Sequence, residues 1–276
     1  MNTLYISDLD GTLLNRDAFL DDADRETLGR LLDAGLAFTA ATARTQATVK
    51  YILAGVPLRL PVILMNGVTW YDLARDAFVH TKYPSRQSLE LMLDTAVNDV
   101  GTGFIYCIRN GRMTVYYENL DAPGAEDFLR ERVERYGKRF THTDDLHGTI
   151  DEGALFYSVQ GPRALLERAA SRLREDPGLH AECYRDIYYP DSWFLEVAAA
   201  DASKRSAVLE MKTLYGFDRV VTFGDNLNDL PMFEVSDLRV AVANARPEVR
   251  ERADLVIDAN TDHGVLKFLL EREGQN

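Results

Sequence analysis

The sequence predicts an α/β protein with a parallel sheet, interrupted by a separate α+β segment. The first observation is a set of short apolar runs, each typical of a strand buried in a parallel sheet, at residues 4–6, 36–41, 61–65 and 220–223. The second is that helical patterns follow several of these runs. The third is a change in the order of predicted elements from about residue 83, where hairpins and helices alternate as in an α+β layer. A chain of 276 residues provides enough core for one large domain or two modest ones.

Composition and charge narrow the classes of function. Apolar residues make up 46% of the chain and charged residues 27%, which is ordinary for a soluble globular protein. The formal net charge of -13 does not favour nucleic acid or an anionic membrane as a partner. The same acidity opposes an anionic substrate, so a phosphate site must be made attractive locally. The sequence shows neither a signal-peptide pattern nor a run long and apolar enough to span a bilayer, so we expect a cytoplasmic protein.

The two cysteines, Cys107 and Cys183, form no CxxC pair and show no metal-ligand spacing. Two buried, reduced thiols fit a cytosolic protein best. A disulfide between them is possible but not indicated by the sequence.

The first candidate catalytic motif follows the first predicted strand. Asp-Leu-Asp-Gly-Thr-Leu-Leu occupies residues 8–14, so Asp8 and Asp10 lie at the carboxyl end of a strand, where sites in parallel sheets form. Residues i and i+2 of a strand share a face. Two close carboxylates resist joint ionisation unless a cation neutralises them, and Mg²⁺ is the natural choice. An isolated Asp-Leu-Asp-Gly could be a simple turn, but the complete string is more specific.

The next elements bring a hydroxyl and a turn to other strand ends. A helix is predicted over residues 20–34, with an apolar face and acidic residues at its start. The strand at 36–41 precedes Thr42, whose hydroxyl suits a phosphate oxygen beside the N–H groups of a helix start. Taken alone, Thr42 is better explained as a helix cap. The strand at 61–65 ends in Asn66 and Gly67, a pair typical of a hairpin turn.

The middle segment alternates helices with hairpins. Helices are predicted over residues 87–97, 124–136 and 162–174, and strands over 104–108, 113–117, 154–159, 181–185 and 193–197. The Asn-Gly pair at residues 110–111 is a strong hairpin signal between two of these strands. No motif in this segment indicates catalysis.

Two further stretches carry charge at the predicted site. Lys204 begins a predicted helix; a lone lysine in such a place is normally a solvated surface charge. The strand at 220–223 is followed by Gly-Asp-Asn-Leu-Asn-Asp at residues 224–229. Asp225 and Asp229 add two carboxylates that complete a site for Mg²⁺, although the isolated string could also cap a helix.

Four motifs in this order resemble those of the haloacid-dehalogenase-like (HAD) hydrolase superfamily, in its Cof-type branch. Residues 8–14 are similar to the first motif. Residues 41–44 read Ala-Thr-Ala-Arg where the branch has Ala-Thr-Gly-Arg, and residues 203–205 read Ser-Lys-Arg where it has Ser-Lys-Gly. Residues 224–229 match the fourth motif, Gly-Asp-x-x-Asn-Asp, without departure. Two residues depart from the family pattern. Ala43 lies in the loop expected to bind phosphate, and Arg205 follows Lys204 at the start of the next predicted helix.

The resemblance covers residues 4–82 and about 193–270. It implies a doubly wound parallel-sheet, Rossmann-like core made of residues 1–82 and 190–276. Residues 83–189 would form an α+β cap inserted into this core, between the second and third motifs.

The resemblance also implies an activity: a Mg²⁺-dependent phosphatase that hydrolyses small phosphate monoesters through an aspartyl-phosphate. Asp8 would be the nucleophile, and Asp10 would protonate the leaving alcohol and then activate water. Mg²⁺ would be held by Asp8, the backbone carbonyl of Asp10 and Asp225. Asp229 would orient Lys204 or a metal-bound water.

The remaining residues carried over from the family concern the substrate. Phosphoryl oxygens would be held by Thr42, Lys204 and Asn228, with backbone N–H groups near Leu9 and Ala43. A cation is needed there to offset several carboxylates and a phosphoryl dianion, and Lys204 is the best candidate. Candidate contacts to the rest of the substrate are Arg44, Asn66 and Gly67.

Two other functions stay open. A phosphomutase of the phosphomannomutase-like type uses the same chemistry but keeps the phosphoryl group between two sugar positions, so release of free phosphate separates it from a phosphatase. A non-catalytic sugar-phosphate-binding protein belongs to another class, and the intact pair Asp8 and Asp10 argues against it. The expected partner is a small phosphorylated metabolite, with sugar phosphates ahead of pyridoxal phosphate or flavin mononucleotide. The sequence does not indicate the oligomeric state.

Overall fold

The computed structural model describes residues 2–122, 124–185 and 192–273. The chain divides into two compact units, which we name the first unit (Met1–His80 with Ser203–Asn276) and the second unit (Thr81–Ala202). Of the described helices, none combines the length and the apolar character needed to cross a bilayer.

The strands, numbered along the chain, are β1 (Thr3–Ser7), β2 (Phe38–Ala40), β3 (Val62–Leu64), β4 (Thr69–Asp72), β5 (Ala77–Thr81), β6 (Phe104–Arg109), β7 (Arg112–Tyr117), β8 (Phe140–His142), β9 (Ala154–Gly161), β10 (Leu179–Arg185), β11 (Trp193–Ala199), β12 (Arg219–Gly224), β13 (Leu238–Val242) and β14 (Leu255–Ile257). The α-helices are α1 (Asp22–Asp33), α2 (Gln46–Ile52), α3 (Arg86–Asp94), α4 (Ala125–Tyr136), α5 (Arg163–Leu173), α6 (Lys204–Leu214), α7 (Leu230–Phe233), α8 (Pro247–Arg250) and α9 (Gly264–Glu273).

A five-stranded parallel sheet forms the centre of the first unit, in the order β14-β13-β12-β1-β2. Its central strands are apolar on both faces, since Leu4, Ile6 and Phe223 are each 0% exposed, as strands covered on both sides require. The chain moves from β1 to β2 on one side, and from β12 outward to β14 on the other. The strand order therefore changes direction between β1 and β12, which is the switch point where doubly wound sheets place their sites. The predicted fold class is confirmed.

The carboxyl ends of β1, β2 and β12 meet at one edge of this sheet. The backbone N–H of Asp8 donates to the carbonyl of Phe223 at 2.9 Å, and that of Ala41 donates to the carbonyl of Ser7 at 2.9 Å. The chain leaves the sheet directly after β1, because Leu9–Leu13 form a π-helical turn. The loops that carry the first, second and fourth motifs therefore begin side by side.

A smaller three-stranded sheet, in the order β3-β4-β5, completes the first unit. Strands β3 and β4 are antiparallel, and the turn between them contains the predicted Asn-Gly pair. Met65, Asn66 and Gly67 all adopt positive φ, of 50°, 54° and 107°. The sequence prediction of a turn at this place is confirmed.

The second unit has a six-stranded sheet in the order β10-β11-β9-β6-β7-β8. Helices α3 and α5 pack on one face of this sheet around a core that includes Leu93, Tyr157, Leu166 and Leu195. The Asn-Gly hairpin between β6 and β7 is confirmed, with positive φ at both turn residues. The predicted alternation of hairpins and helices thus forms an α+β layer.

One boundary needs correction. The predicted division between residues 189 and 190 lies outside the described residues, but it assigned β11 to the core. In the structure β11 pairs antiparallel with β9 and with β10, so it is a strand of the second unit, which extends to Ala202. A short apolar strand fits either sheet by its sequence alone, and only its long-range pairing decides.

Both cysteines carry free thiols, with Cys107 buried and Cys183 half-buried. Burial raises the pKa of Cys107 to about 12, so its thiol stays protonated and unreactive.

Candidate active site

A buried lysine lies between two buried carboxylates at the centre of the site. Lys204 Nζ donates to Asp8 Oδ1 at 2.6 Å and to Asp229 Oδ1 at 2.7 Å. The exposed fractions of these side chains are 1% for Lys204, 8% for Asp8 and 0% for Asp229. Burial opposes the charge of Lys204, but the carboxylates of Asp229 and Asp8 outweigh it and raise the pKa of Lys204 above its usual value. Lys204 is therefore a fixed cation of the site and not a solvated surface charge.

The start of α6 places this lysine. Ser203 caps the helix: its Oγ accepts from the backbone N–H of Ser206 at 3.1 Å, while Ser206 Oγ accepts from the N–H of Ser203 at 3.2 Å. Lys204 is then the first helical residue. Arg205, the departure from the family pattern, is exposed and lies 3.5 Å from Glu234, so it does not disturb the contacts of Lys204.

Asp229 uses both of its oxygens inside the protein. While Oδ1 faces Lys204, Oδ2 accepts the backbone N–H groups of Asp225 at 2.9 Å and Asn226 at 3.0 Å. It thereby fixes the loop after β12 as well as the lysine. The hydrogen bond to Lys204 is the contact that the expected supporting role of Asp229 would use.

Asp8, Asp225 and Asp229 are close enough to hold a cation: each offers an oxygen within 4.8 Å of the others. Burial, reinforced by the charge of Asp229, raises the pKa of Asp225 to about 6. Burial likewise raises the pKa of Asp8 well above its usual value, against the attraction of Lys204. Both oxygens of Asp229 accept hydrogen bonds within the protein. Asp8 Oδ1 accepts from Lys204 and Asp225 Oδ1 accepts from Thr12, so the oxygens best placed to bind a cation are Oδ2 of Asp8 and Oδ2 of Asp225. Hard oxygen donors that resist ionisation without a counter-charge fit Mg²⁺.

Two neighbours make room for Asp225 and orient it. Thr12 Oγ1 donates to Asp225 Oδ1 at 2.9 Å. A Cβ at Gly11 would lie 2.5 Å from Asp225 Oδ2, and Gly11 has a φ of +76°. Glycine is therefore required here both by the backbone conformation and by the approach of the carboxylate. The role of Thr12 was missed from the sequence, although it lies within the first motif.

Asp10 is placed differently from the expectation that it shares a face with Asp8. The strand ends at Ser7, so the alternation of side chains does not continue to Asp10. Its side chain is 46% exposed and forms a bidentate ion pair with Arg44, with Nε to Oδ2 at 2.6 Å and Nη2 to Oδ1 at 2.5 Å. The carboxylate that lies beside Asp8, in place of Asp10, is that of Asp225. Arg44 was expected to contact the substrate, and its ion pair with Asp10 was not predicted.

The second motif lies beside this ion pair. Thr42 is buried, with 1% of its surface exposed, and its hydroxyl accepts the N–H of Arg44 at 3.2 Å. The cap position of α2 belongs to Thr45, so the interpretation of Thr42 as the helix cap is wrong. Ala43 is exposed and does not adopt positive φ. Alanine therefore replaces the glycine of the family pattern without backbone strain.

The turn between β3 and β4 reaches the third and fourth motifs. Asn228 Nδ2 donates to Asn66 Oδ1 at 3.2 Å. A Cβ at Gly67 would lie 2.2 Å from the carbonyl oxygen of Ser203, so this turn packs directly on the start of α6. Asn244, in the loop after β13, donates to the carbonyl of Gly11 at 2.7 Å and was not among the predicted site residues.

The sequence model of the haloacid dehalogenase-like hydrolases matches residues 5–269. The 5-amino-6-(5-phospho-D-ribitylamino)uracil phosphatase YwtE of Bacillus subtilis is 26% identical, over 95% of this chain and 95% of that protein. The pyridoxal phosphate phosphatase YbhA of Escherichia coli is 26% identical, over 98% of both. The solved structure of the HAD subclass IIB sugar phosphatase BT4131 has a TM-score of 0.74 at 18% identity and covers 99% of both chains, which indicates a shared fold.

The family recognised from four short motifs is thus matched along nearly the whole chain, and the motifs meet at one edge of a doubly wound sheet. The chain belongs to the haloacid dehalogenase-like hydrolase family.

Proposed function

We propose that this chain is a Mg²⁺-dependent phosphatase that hydrolyses small phosphate monoesters, with sugar phosphates as the first class to test. The observation that carries the proposal is the buried Lys204 between Asp8 and Asp229, with the Asp225 carboxylate beside them. In a hydrolase of this family, such a site supports an attack by a carboxylate on phosphorus. Relatives matched along nearly their full length are named as phosphatases, which supports the same reaction.

In this proposal Asp8 is the nucleophile. Its carboxylate must be ionised to attack, and Lys204 at 2.6 Å favours that form against the effect of burial. An Oδ atom of Asp8 bonds to phosphorus while the bond from phosphorus to the ester oxygen breaks, which leaves an aspartyl-phosphate and an alkoxide. Attack of water on this acyl phosphate then frees Asp8 and releases inorganic phosphate.

Asp10 would supply and recover the proton. It would protonate the leaving oxygen in the first step and take a proton from water in the second. Its carboxylate is bound to Arg44 by two hydrogen bonds, so we propose that this pair opens or rotates when an ester binds. The backbone carbonyl of Asp10 remains a proposed metal ligand.

Asp8 and Asp225 would hold Mg²⁺, which when bound would neutralise their charge and that of the phosphoryl group. Lys204 and the side chains of Thr42 and Asn228 would bind phosphoryl oxygens. The backbone N–H groups near Leu9 and Ala43 would complete this set of donors.

The test is inorganic phosphate release from a panel of sugar phosphates, pyridoxal phosphate and flavin mononucleotide, with Mg²⁺ and with a chelator. We expect Mg²⁺-dependent release that falls at least about a thousandfold in Asp8→Asn, because the nucleophile is lost. Asp33→Asn is the matched control: it makes the same chemical change at a largely exposed side chain and should retain activity.

Asp8→Asn with undiminished Mg²⁺-dependent turnover would refute the assignment of the nucleophile. A folded protein that moves the phosphoryl group of a sugar monophosphate from one position to another without releasing inorganic phosphate would be a phosphomutase. Binding of sugar phosphates with no turnover of any ester would show that the chain is a non-catalytic sugar-phosphate-binding protein.

A further inference from the structure

A polar cavity within the second unit is lined by residues that the proposed reaction does not use. It measures about 340 Å³ and opens beside the β6–β7 hairpin, a volume at the lower end of the range of small-molecule sites. Its lining includes three arginines, Arg109, Arg112 and Arg139, together with Glu152, Thr114 and Tyr116. Nothing in the proposed phosphatase reaction uses these groups.

The strand register makes the arginines converge. Arg109 and Arg112 are directly opposite each other across the antiparallel pair, and Cys107 is opposite Thr114. Opposed residues of such a pair share a face. Arg139 comes directly before β8, and its carbonyl accepts the N–H of Val115 at 2.9 Å. Two adjacent strands and the residue that precedes a third therefore contribute one arginine each to the lining of one cavity.

The charge of this cavity is only partly balanced. Arg109 forms an ion pair with Glu152. Within the described parts of the chain, neither Arg112 nor Arg139 forms an ion pair with a carboxylate. Like charges directly opposite on a β-ladder are unfavourable, and this pair occurs in a chain of net charge -13. All three arginines are exposed, so solvent screens this repulsion in the empty protein. Arg112 and Arg139 nevertheless suit an anion with two or more charges.

We propose that this cavity, which we name the arginine pocket, binds a small polyanionic metabolite that carries at least two phosphate or carboxylate groups. The planar guanidinium forks of Arg112 and Arg139 would bind one oxyanion each in bidentate fashion. Thr114 would donate its hydroxyl proton to a remaining oxygen, while the hydroxyl of Tyr116 is hydrogen-bonded to Glu152. All its lining residues belong to the second unit, and none of them is a residue of the proposed catalytic site.

The test is isothermal titration calorimetry of the full chain with excess Mg²⁺ at constant ionic strength. The probes are methylenediphosphonate and propane-1,2,3-tricarboxylate, and acetate is the monoanion control. We expect at least one polyanion to bind and acetate to bind much more weakly. The double variant Arg112→Gln/Arg139→Gln should weaken that binding about tenfold or more, and Arg112→Lys should lie between it and the original chain.

The matched control removes two other arginines of the same unit. Arg130→Gln/Arg135→Gln changes the net charge equally at exposed side chains of α4 and should leave the affinity unchanged. Without a probe, the melting temperature of the pocket variant should stay the same or rise, because a like-charge pair has been relieved. A lower melting temperature would mean that the arginines hold the hairpin, and would contradict the proposal.

The outcomes separate the two chemical sources of the anion. Binding of the diphosphonate alone would assign the pocket to phosphorylated molecules, and binding of the tricarboxylate alone would assign it to carboxylates. Diphosphonate bound at the proposed catalytic site would be insensitive to the pocket substitutions. No binding of either probe, equal loss in the control variant, or unchanged affinity in Arg112→Gln/Arg139→Gln would overturn the inference.

Discussion

Protons and Mg²⁺ should compete for Asp225, and the structure gives the pH at which they do so. Burial and the charge of Asp229 raise the pKa of Asp225 from 3.8 to about 6. Below about pH 6 the metal-free carboxyl is therefore protonated, while the metal needs the carboxylate. For Asp225 alone, the affinity for Mg²⁺ should be level above pH 7 and fall about tenfold for each pH unit below 6. The raised pKa of Asp8 acts in the same direction and can only steepen this dependence.

The same shift gives a magnitude for stability. A raised pKa stabilises the folded protein fully below the unfolded pKa, and this contribution disappears as pH rises through the folded pKa. For Asp225 the change from 3.8 to about 6 corresponds to about 3 kcal/mol. As the pH rises from about 4 to about 6, the metal-free protein should thus lose stability relative to a chain in which the pKa of Asp225 is not raised. Mg²⁺ should restore it, and should raise the melting temperature more at pH 7.5 than at pH 5.

Calorimetric titration of Mg²⁺ at several pH values, in buffers of different ionisation enthalpy, measures both the affinity and the protons released. We expect proton release near pH 6 that vanishes in Asp225→Asn, together with most of the Mg²⁺ affinity. Asp237→Asn is the control, since the pKa of Asp237 is lowered by its hydrogen bond to Lys212. An affinity for Mg²⁺ that does not change between pH 5 and pH 7 would refute the reasoning.

Three further changes test the packing of the site by urea unfolding without metal. Lys204→Met should cost about 3–5 kcal/mol, because two buried carboxylates lose their partner; a loss below 1 kcal/mol would contradict the charge assignment. Gly67→Ala should cost at least about 2 kcal/mol, because its Cβ would meet the carbonyl of Ser203. Gly35→Ala is its control, with a similar φ of +104° and no atom within 4 Å; equal losses would mean that φ alone matters. Arg44→Ala should change stability by less than about 1 kcal/mol, since its ion pair is partly exposed; a loss above 2 kcal/mol would show that the pair holds the loops together.

The sequence predicted the site well where strand ends decide the geometry. Parallel strands must end at a common edge, so the apolar runs at residues 4–6 and 220–223 were enough to bring Asp8 and Asp225 together. The burial of Lys204 could not be derived in this way. A lysine at a helix start is normally solvated, and only the ordered resemblance to family motifs indicated a charge partner for it.

What the sequence did not predict depends on contacts between loops. The ion pair of Asp10 and Arg44 joins two loops whose side-chain directions are set after the strands end. The alternation argument, valid within a strand, therefore failed at Asp10. The assignment of β11 failed for a related reason: its apolar sequence fits a strand of either unit, and the pairing with β9 and β10 is a long-range property of the second sheet.

The charges of the site explain how a chain of net charge -13 could bind a phosphate ester. Asp8, Asp225 and Asp229, together with Lys204, carry a formal charge of two minus when all are ionised, so the metal-free site repels a dianion. A divalent cation cancels this charge. Lys204 and neutral donors such as Thr42 can then bind phosphoryl oxygens. If Mg²⁺ binds as proposed, binding of phosphate and of Mg²⁺ should therefore be strongly and reciprocally coupled, so that the affinity for the substrate rises when the metal is present.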